Sequence, residues 1–96
     1  MGRSALTIID IASGKQKQVE VGKEPEGVKV SPDGKQVYVT SEVASLVHVV
    51  DSATQKVIKN IKVGKRPGRF AMRPDGAQLW VTNELGASVS IIDTRK

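Results

Sequence analysis

Apolar residues fall along this chain in short runs, each closed by turn-forming residues. Leu6-Thr7-Ile8-Ile9-Asp10, Val47-His48-Val49-Val50-Asp51 and Val89-Ser90-Ile91-Ile92-Asp93 are β-branched stretches with apolar side chains on both faces. A strand apolar on both sides belongs between two layers. The terminal Asp of each run is placed to accept backbone N–H groups just beyond it, in an Asx-turn. Residues 16–21 and 57–63 are more polar, interleaved with Lys, Gln and Asn, as suits an exposed outer strand whose charges discourage unwanted pairing. Residues 27–30 and 69–72 read as short strands that run into Ser31-Pro32-Asp33-Gly34 and Arg73-Pro74-Asp75-Gly76. Proline presets φ and glycine takes φ > 0, so both tetrapeptides predict tight hairpin turns. Residues 36–40 and 78–82 are the partner strands. No stretch has helical periodicity with caps, and the expected fold class is all-β.

The runs repeat. Residues 21–51 (VGKEPEGVKVSPDGKQVYVTSEVASLVHVVD) return at 63–93 (VGKRPGRFAMRPDGAQLWVTNELGASVSIID) at an offset of 42 residues. A unit of that length with four short strands describes one propeller blade. With strands lettered A to D from the centre outward, the chain reads C-D over residues 5–26, A-B-C-D over 27–63 and A-B-C over 64–96. The expectation is a single segment over 1–96 of β-propeller blades, each of four antiparallel strands, with about two and a quarter repeats per chain.

Composition narrows the core. One Trp, one Tyr and one Phe among 96 residues leave it aliphatic, and without cysteine neither disulfide nor thiolate chemistry is available. No run is apolar and long enough for a transmembrane span or a signal peptide, so no membrane partner is expected. The net charge of +5 is spread over turns and strand edges without interleaved aromatics, which argues against nucleic acid.

Candidate chemistry is sparse. His48 is the one histidine, which excludes a multi-histidine metal site within the chain. Its repeat equivalents, Thr7 and Ser90, predict a half-exposed position. Asp10, Asp51, Asp93, Asp33 and Asp75 all sit where turns need them. No catalytic residue, metal ligand or cofactor is assigned, and no enzymatic activity is expected. The D-to-A connections and B-to-C loops lie on one face beside the central channel. They carry Lys23, Glu24, Glu26, Glu42, Lys65, Arg66, Arg69, Asn83 and Glu84, a mixed-charge surface suited either to a small anion or partner, or simply to solvation.

Tyr38-Val39-Thr40-Ser41, Trp80-Val81-Thr82-Asn83 and Val-Ser-Ile-Ile-Asp-Thr at 89–94, with Val-Gly-x-x-Pro and Ser-Pro-Asp-Gly-Lys, resemble the YVTN-family β-propeller repeat over nearly the whole chain. Ser41 in place of Asn, and Gly68-Arg69-Phe70 with its glycine shifted by one, are mild departures. The resemblance implies rings of usually seven blades, in surface-layer, periplasmic, lactonase-like or cofactor-associated proteins. It implies no single activity, because the defining residues are structural. Two repeats cannot close a ring. The leading expectation is a structural and interaction module that assembles head to tail with itself, as a trimer or tetramer. The alternative is a ligand- or partner-binding fragment of an exported seven-bladed YVTN or lactonase-like propeller. A lactonase-like hydrolase would need a site built from several blades.

Overall fold

At each Pro-Asp-Gly turn the glycine occupies the left-handed region, with φ of 74° at Gly34 and 77° at Gly76. The glycine N–H donates to the carbonyl of Ser31 at 2.9 Å and of Arg73 at 2.7 Å. The Asp carboxylates hold the next turn of chain, Asp33 accepting Lys35 N and Asp75 accepting Ala77 N, both at 2.9 Å. These hairpins organise a computed structural model that describes residues 4–95. The described residues form strands only, with no helix: β1 (Ala5–Ile9), β2 (Gln16–Glu20), β3 (Pro25–Val30), β4 (Gln36–Ser41), β5 (Leu46–Asp51), β6 (Lys56–Lys62), β7 (Pro67–Met72), β8 (Gln78–Asn83) and β9 (Ser88–Asp93).

The strands make three antiparallel sheets in chain order: β1-β2, β3-β4-β5-β6 and β7-β8-β9. The all-β fold with blade-like antiparallel sheets agrees with the reading of the sequence. β3 and β7 begin at Pro25 and Pro67, two residues earlier than the apolar pattern indicated. The reason is a bulge, because the register passes from Pro25↔Ser41 to Val28↔Val39 and from Pro67↔Asn83 to Phe70↔Val81. An extra residue opposite Thr40, and again opposite Thr82, breaks the period of two.

Cross-strand pairs share a face, and in the middle sheet this separates two apolar sides. Tyr38 pairs with Val49 and Thr40 with Val47, while Val37 pairs with Val50 and Val39 with His48. The first side packs on the third sheet, where Tyr38, Val47 and Val49 form one core with Leu79 and Val81, joined by Phe70, Met72 and Ile92. On the second side Val39 and Val50 are buried, as is Val19 of the β1-β2 hairpin, and Gly22, just after β2, reaches His48 on this side. Removing each such side chain from water contributes about 1.5–3 kcal/mol. Burial pushes the Tyr38 phenol pKa up, and its hydroxyl donates to Gln36 Oε1 at 2.8 Å.

The turn aspartates couple the fold to pH. The Ser31 hydroxyl holds the Asp33 carboxyl below its ordinary value of 3.8, the Thr54 N–H does so for Asp51, and the Arg73 guanidinium does so strongly for Asp75. Depressed folded-state values stabilise fully above the unfolded pKa and are lost as pH falls through the folded ones. Thermal melts followed by circular dichroism should therefore show a level midpoint from neutral pH down to about pH 5 and a shallow fall towards about pH 2. The fall stays shallow because all three groups face solvent. A midpoint unchanged across that range would count against these contacts.

Candidate functional site

The Val-Gly-Lys-x-Pro segments make the connections from one blade to the next. Glu24 and Arg66 both sit at φ 54°, in the left-handed region. Their carbonyls accept Glu42 N and Glu84 N, each at 3.0 Å, so each connection is pinned to the loop that follows β4 or β8. The glycines before them are pressed against the sheet. A Cβ on Gly22 would lie 2.9 Å from Ser41 Cβ, and one on Gly64 would lie 2.7 Å from Asn83 Cγ.

The nine residues singled out on this face do not form one site. Glu42, Lys65 and Arg66 come together with Val43, Ser45 and Leu85 around a cavity of about 400 Å3. Arg66 Nη2 lies 3.4 Å from Glu42 Oε2, an ion pair that joins the middle and third blades. Solvent at Arg66 limits that pair to about 1 kcal/mol or less. Lys65 has no carboxylate at ion-pair distance among the described residues. Lys23, Glu24 and Glu26 are exposed around the preceding connection and outside the cavity. Arg69 is exposed on β7, with its N–H donating to Thr82 Oγ1 at 3.1 Å. Asn83 is turned into the blade, 2% exposed, where its Nδ2 donates to Ser90 Oγ at 2.9 Å. Glu84 extends beside Gly68. Chemically, the cavity offers an ammonium group between two exposed apolar loop tips, Val43 and Leu85, an arrangement that could seat a small anion with an apolar part.

The sequence misplaced His48. It is 5% exposed rather than half-exposed, because β6 and the segment after β2 close over it. Gly22 N donates to its Nε2 at 2.9 Å, so the ring proton resides on Nδ1, which donates to Asn60 Oδ1 at 2.6 Å. Ser41 Oγ stands 2.7 Å from the same Nε2. The order Ser41, His48, Asn60 is that of a nucleophile, a base and an orienting group. Ser41 is fully buried, however, and Gly22 already occupies the Nε2 lone pair. The network ties three strands and a connection together and leaves no room for a substrate. Asn83 and Ser90 occupy the equivalent places in the third blade. Among the described residues no group of three His, Cys, Asp or Glu side chains is placed to hold a metal ion.

Solved structures contain the same blade arrangement. A chain of hydrazine synthase from Kuenenia stuttgartiensis is similar at a TM-score of 0.90 and 33% identity, over 96% of this chain and 27% of that one. The dihydro-heme d1 dehydrogenase NirN, in complex with DHE, gives 0.88 at 27% identity, over 98% of this chain and 20% of its own. Apo AztD from Citrobacter koseri gives 0.83 at 18% identity, over 98% and 27%, a likeness of fold alone. The chain thus spans between 20% and 27% of the length of these three relatives. No curated protein matches the sequence. The expectation of a chain without enzymatic activity is overturned, because hydrazine synthase and NirN are enzymes. Its error was to read the absence of a catalytic pattern in blade-building residues as an absence of activity, when such residues report only the scaffold. The resemblance to the YVTN-type repeat is upheld: residues 24–78, more than half of the chain, match the YNCE-like beta-propeller family, and the chain belongs to that family.

Proposed function

We propose that the chain is an interaction module of propeller blades that joins copies of itself head to tail, closing as a trimer or tetramer. The supporting observation is one face seen in two states. In the middle blade Tyr38, Val47 and Val49 are 2%, 0% and 4% exposed beneath the third blade. Their repeat equivalents Trp80, Val89 and Ile91 are 43%, 51% and 54% exposed. The complementary surface is open as well. Phe70 and Met72 pack against Tyr38's cluster, while their equivalents Val28 and Val30 stand 55% and 53% exposed on β3. Seating Trp80 of one copy on Val28 and Val30 of the next repeats the apolar part of the internal joint.

The seam supports the same reading. Between β6 and β9 lies a cavity of about 710 Å3, lined by residues 59–63 and 90–93, where the middle blade's counterpart has its outer strand. The β1-β2 hairpin of the next copy supplies such a strand as β2, while β1 takes the place of β9 and its Leu6 and Ile8 replace Val89 and Ile91 on the joining face. The two strands carry nearly the same residues, Leu6-Thr7-Ile8-Ile9-Asp10 against Val89-Ser90-Ile91-Ile92-Asp93. An open edge beside an apolar face is a template for such addition.

Light scattering on a sizing column over a roughly hundredfold concentration range tests the proposal. The wild type is expected to elute as a discrete trimer or tetramer, and Trp80→Lys and Val30→Lys each as a monomer. An equimolar mixture of the two variants should form a 1:1 pair, because each retains the face that the other has lost. A monomeric wild type, as expected if further blades of a longer chain take these faces, or variants that fail to pair, would overturn it.

A further inference from the structure

The internal joint between the middle and third blades is defined at its inner end by four residues. Gly27 lies so close to Gly68 that a Cβ on it would enter the Gly68 carbonyl oxygen, and Arg66 reaches Glu42 across the joint at 3.4 Å. In a joint between copies the 42-residue repeat puts different side chains at these positions. Arg69 of one copy takes the place of Gly27, and its Glu84 the place of Glu42. On the second copy Glu26 takes the place of Gly68, and Glu24 that of Arg66. A contact of backbone on backbone is thereby replaced by one guanidinium facing three carboxylates. Among the described residues none of these four side chains has an ion-pair partner within its own chain.

We infer that Arg69 specifies the joint between copies by pairing with Glu26 of the second copy; this rests on the self-association proposed above. The Arg69 side chain prevents the close backbone approach made at Gly27, so the joint opens at β7 and is bridged by side chains instead. A guanidinium presents five N–H donors in a planar fork that matches a carboxylate edge. Glu24 and Glu84 repel each other at the position where Arg66 and Glu42 attract. Arg69 is the one cation among the four positions, so reversing its charge leaves four facing carboxylates. Lys23 beside Glu24 and Lys65 on the internal connection belong to the flanking loops and keep their places in both joints.

Sedimentation equilibrium on full-length chains tests this. Arg69→Glu is expected to raise the dissociation constant at least tenfold, with an unchanged circular dichroism spectrum because the residue is exposed on its strand. Glu26→Arg should weaken association similarly, and the charge-swapped Arg69→Glu, Glu26→Arg chain should recover most of the loss. Glu24→Arg should tighten association, since it recreates the Arg66–Glu42 pairing between copies. Unaltered association of Arg69→Glu, a swapped chain no tighter than Arg69→Glu alone, or a weakened Glu24→Arg chain would overturn the inference. A monomeric wild type sinks the self-association reading itself, whereas an assembling wild type that tolerates Arg69→Glu sinks only the pairing.

Discussion

Leu79→Ala is expected to destabilise the chain by about 3 kcal/mol and to lower its thermal midpoint by roughly 12–24 °C. Leu79 is fully buried and belongs to the core shared by the middle and third blades, with Tyr38, Val47, Val49 and Val81. Its cross-strand neighbours Met72 and Ile92 pack at the margin of that core. Truncation removes the transfer energy of three carbons and leaves a cavity that two facing sheets cannot collapse to fill. A chain of this size has about 5–10 kcal/mol of stability in total, so one such loss takes a large share of it. Val43→Ala is the comparison: Val43 is 61% exposed on a loop, and its loss should cost no more than about 0.5 kcal/mol. Melts followed by circular dichroism separate the two. Equal midpoints for both variants would mean that the core does not join the blades as described.

What could be read from the sequence follows from which forces are local. Strand positions were legible because apolar residues on both faces, bracketed by Pro-Asp-Gly turns, leave few other foldings. The starts of β3 and β7 were not, because a bulge opposite Thr40 and Thr82 suspends the alternation on which such readings depend. His48 was misread for a related reason. Its neighbours in the repeat are polar, and polarity along one strand indicates exposure. Its burial arises across strands, from pairing with Asn60 in β6 and from the Gly22 N–H. One clue was available: a large His48 sits with a small Ser41, and a small Ser90 with a large Asn83, a compensation of volume that becomes visible once the register of β4 with β5 is known. The residues expected at the channel face share connections and loops along the chain but not one set of contacts. The side chain at the end of β8 points into the blade, so Asn83 left the group, while Glu42 and Arg66 met across a joint that no local pattern records. Activity was the least legible of all, because every repeated residue is accounted for by blade construction.

The second large effect is expected at Gly27. Replacement by Ala would place a Cβ against the Gly68 carbonyl oxygen and 3.2 Å from Thr40 Oγ1. Both are fixed. Thr40 is fully buried, its hydroxyl accepts Gly27 N at 2.7 Å and donates to Gly68 O at 3.0 Å, and β3 lies against β7 along this contact. A single methyl group therefore has to drive two inner strands apart or break both hydrogen bonds, leaving a half-buried N–H and a buried C=O without partners. Each such orphaned group costs about 1–3 kcal/mol, so the two together cost about 2–6 kcal/mol, and the steric clash adds to that, a large share of the stability of a chain this size. Gly27 is not in the left-handed region, so the cost is steric and not conformational. Gly14→Ala provides the opposite case, since Gly14 has a φ of 75° and nothing within 4 Å of an added Cβ. It should lose only about 1 kcal/mol, from backbone strain alone. Thr40→Val, which keeps the shape but removes the bridge, should fall between the two at about 2–4 kcal/mol. Urea titrations of the three variants fix the order. A Gly27→Ala chain no less stable than Gly14→Ala would show that the blades are not held together by close backbone approach, and the argument for a wider joint at Arg69 would fall with it.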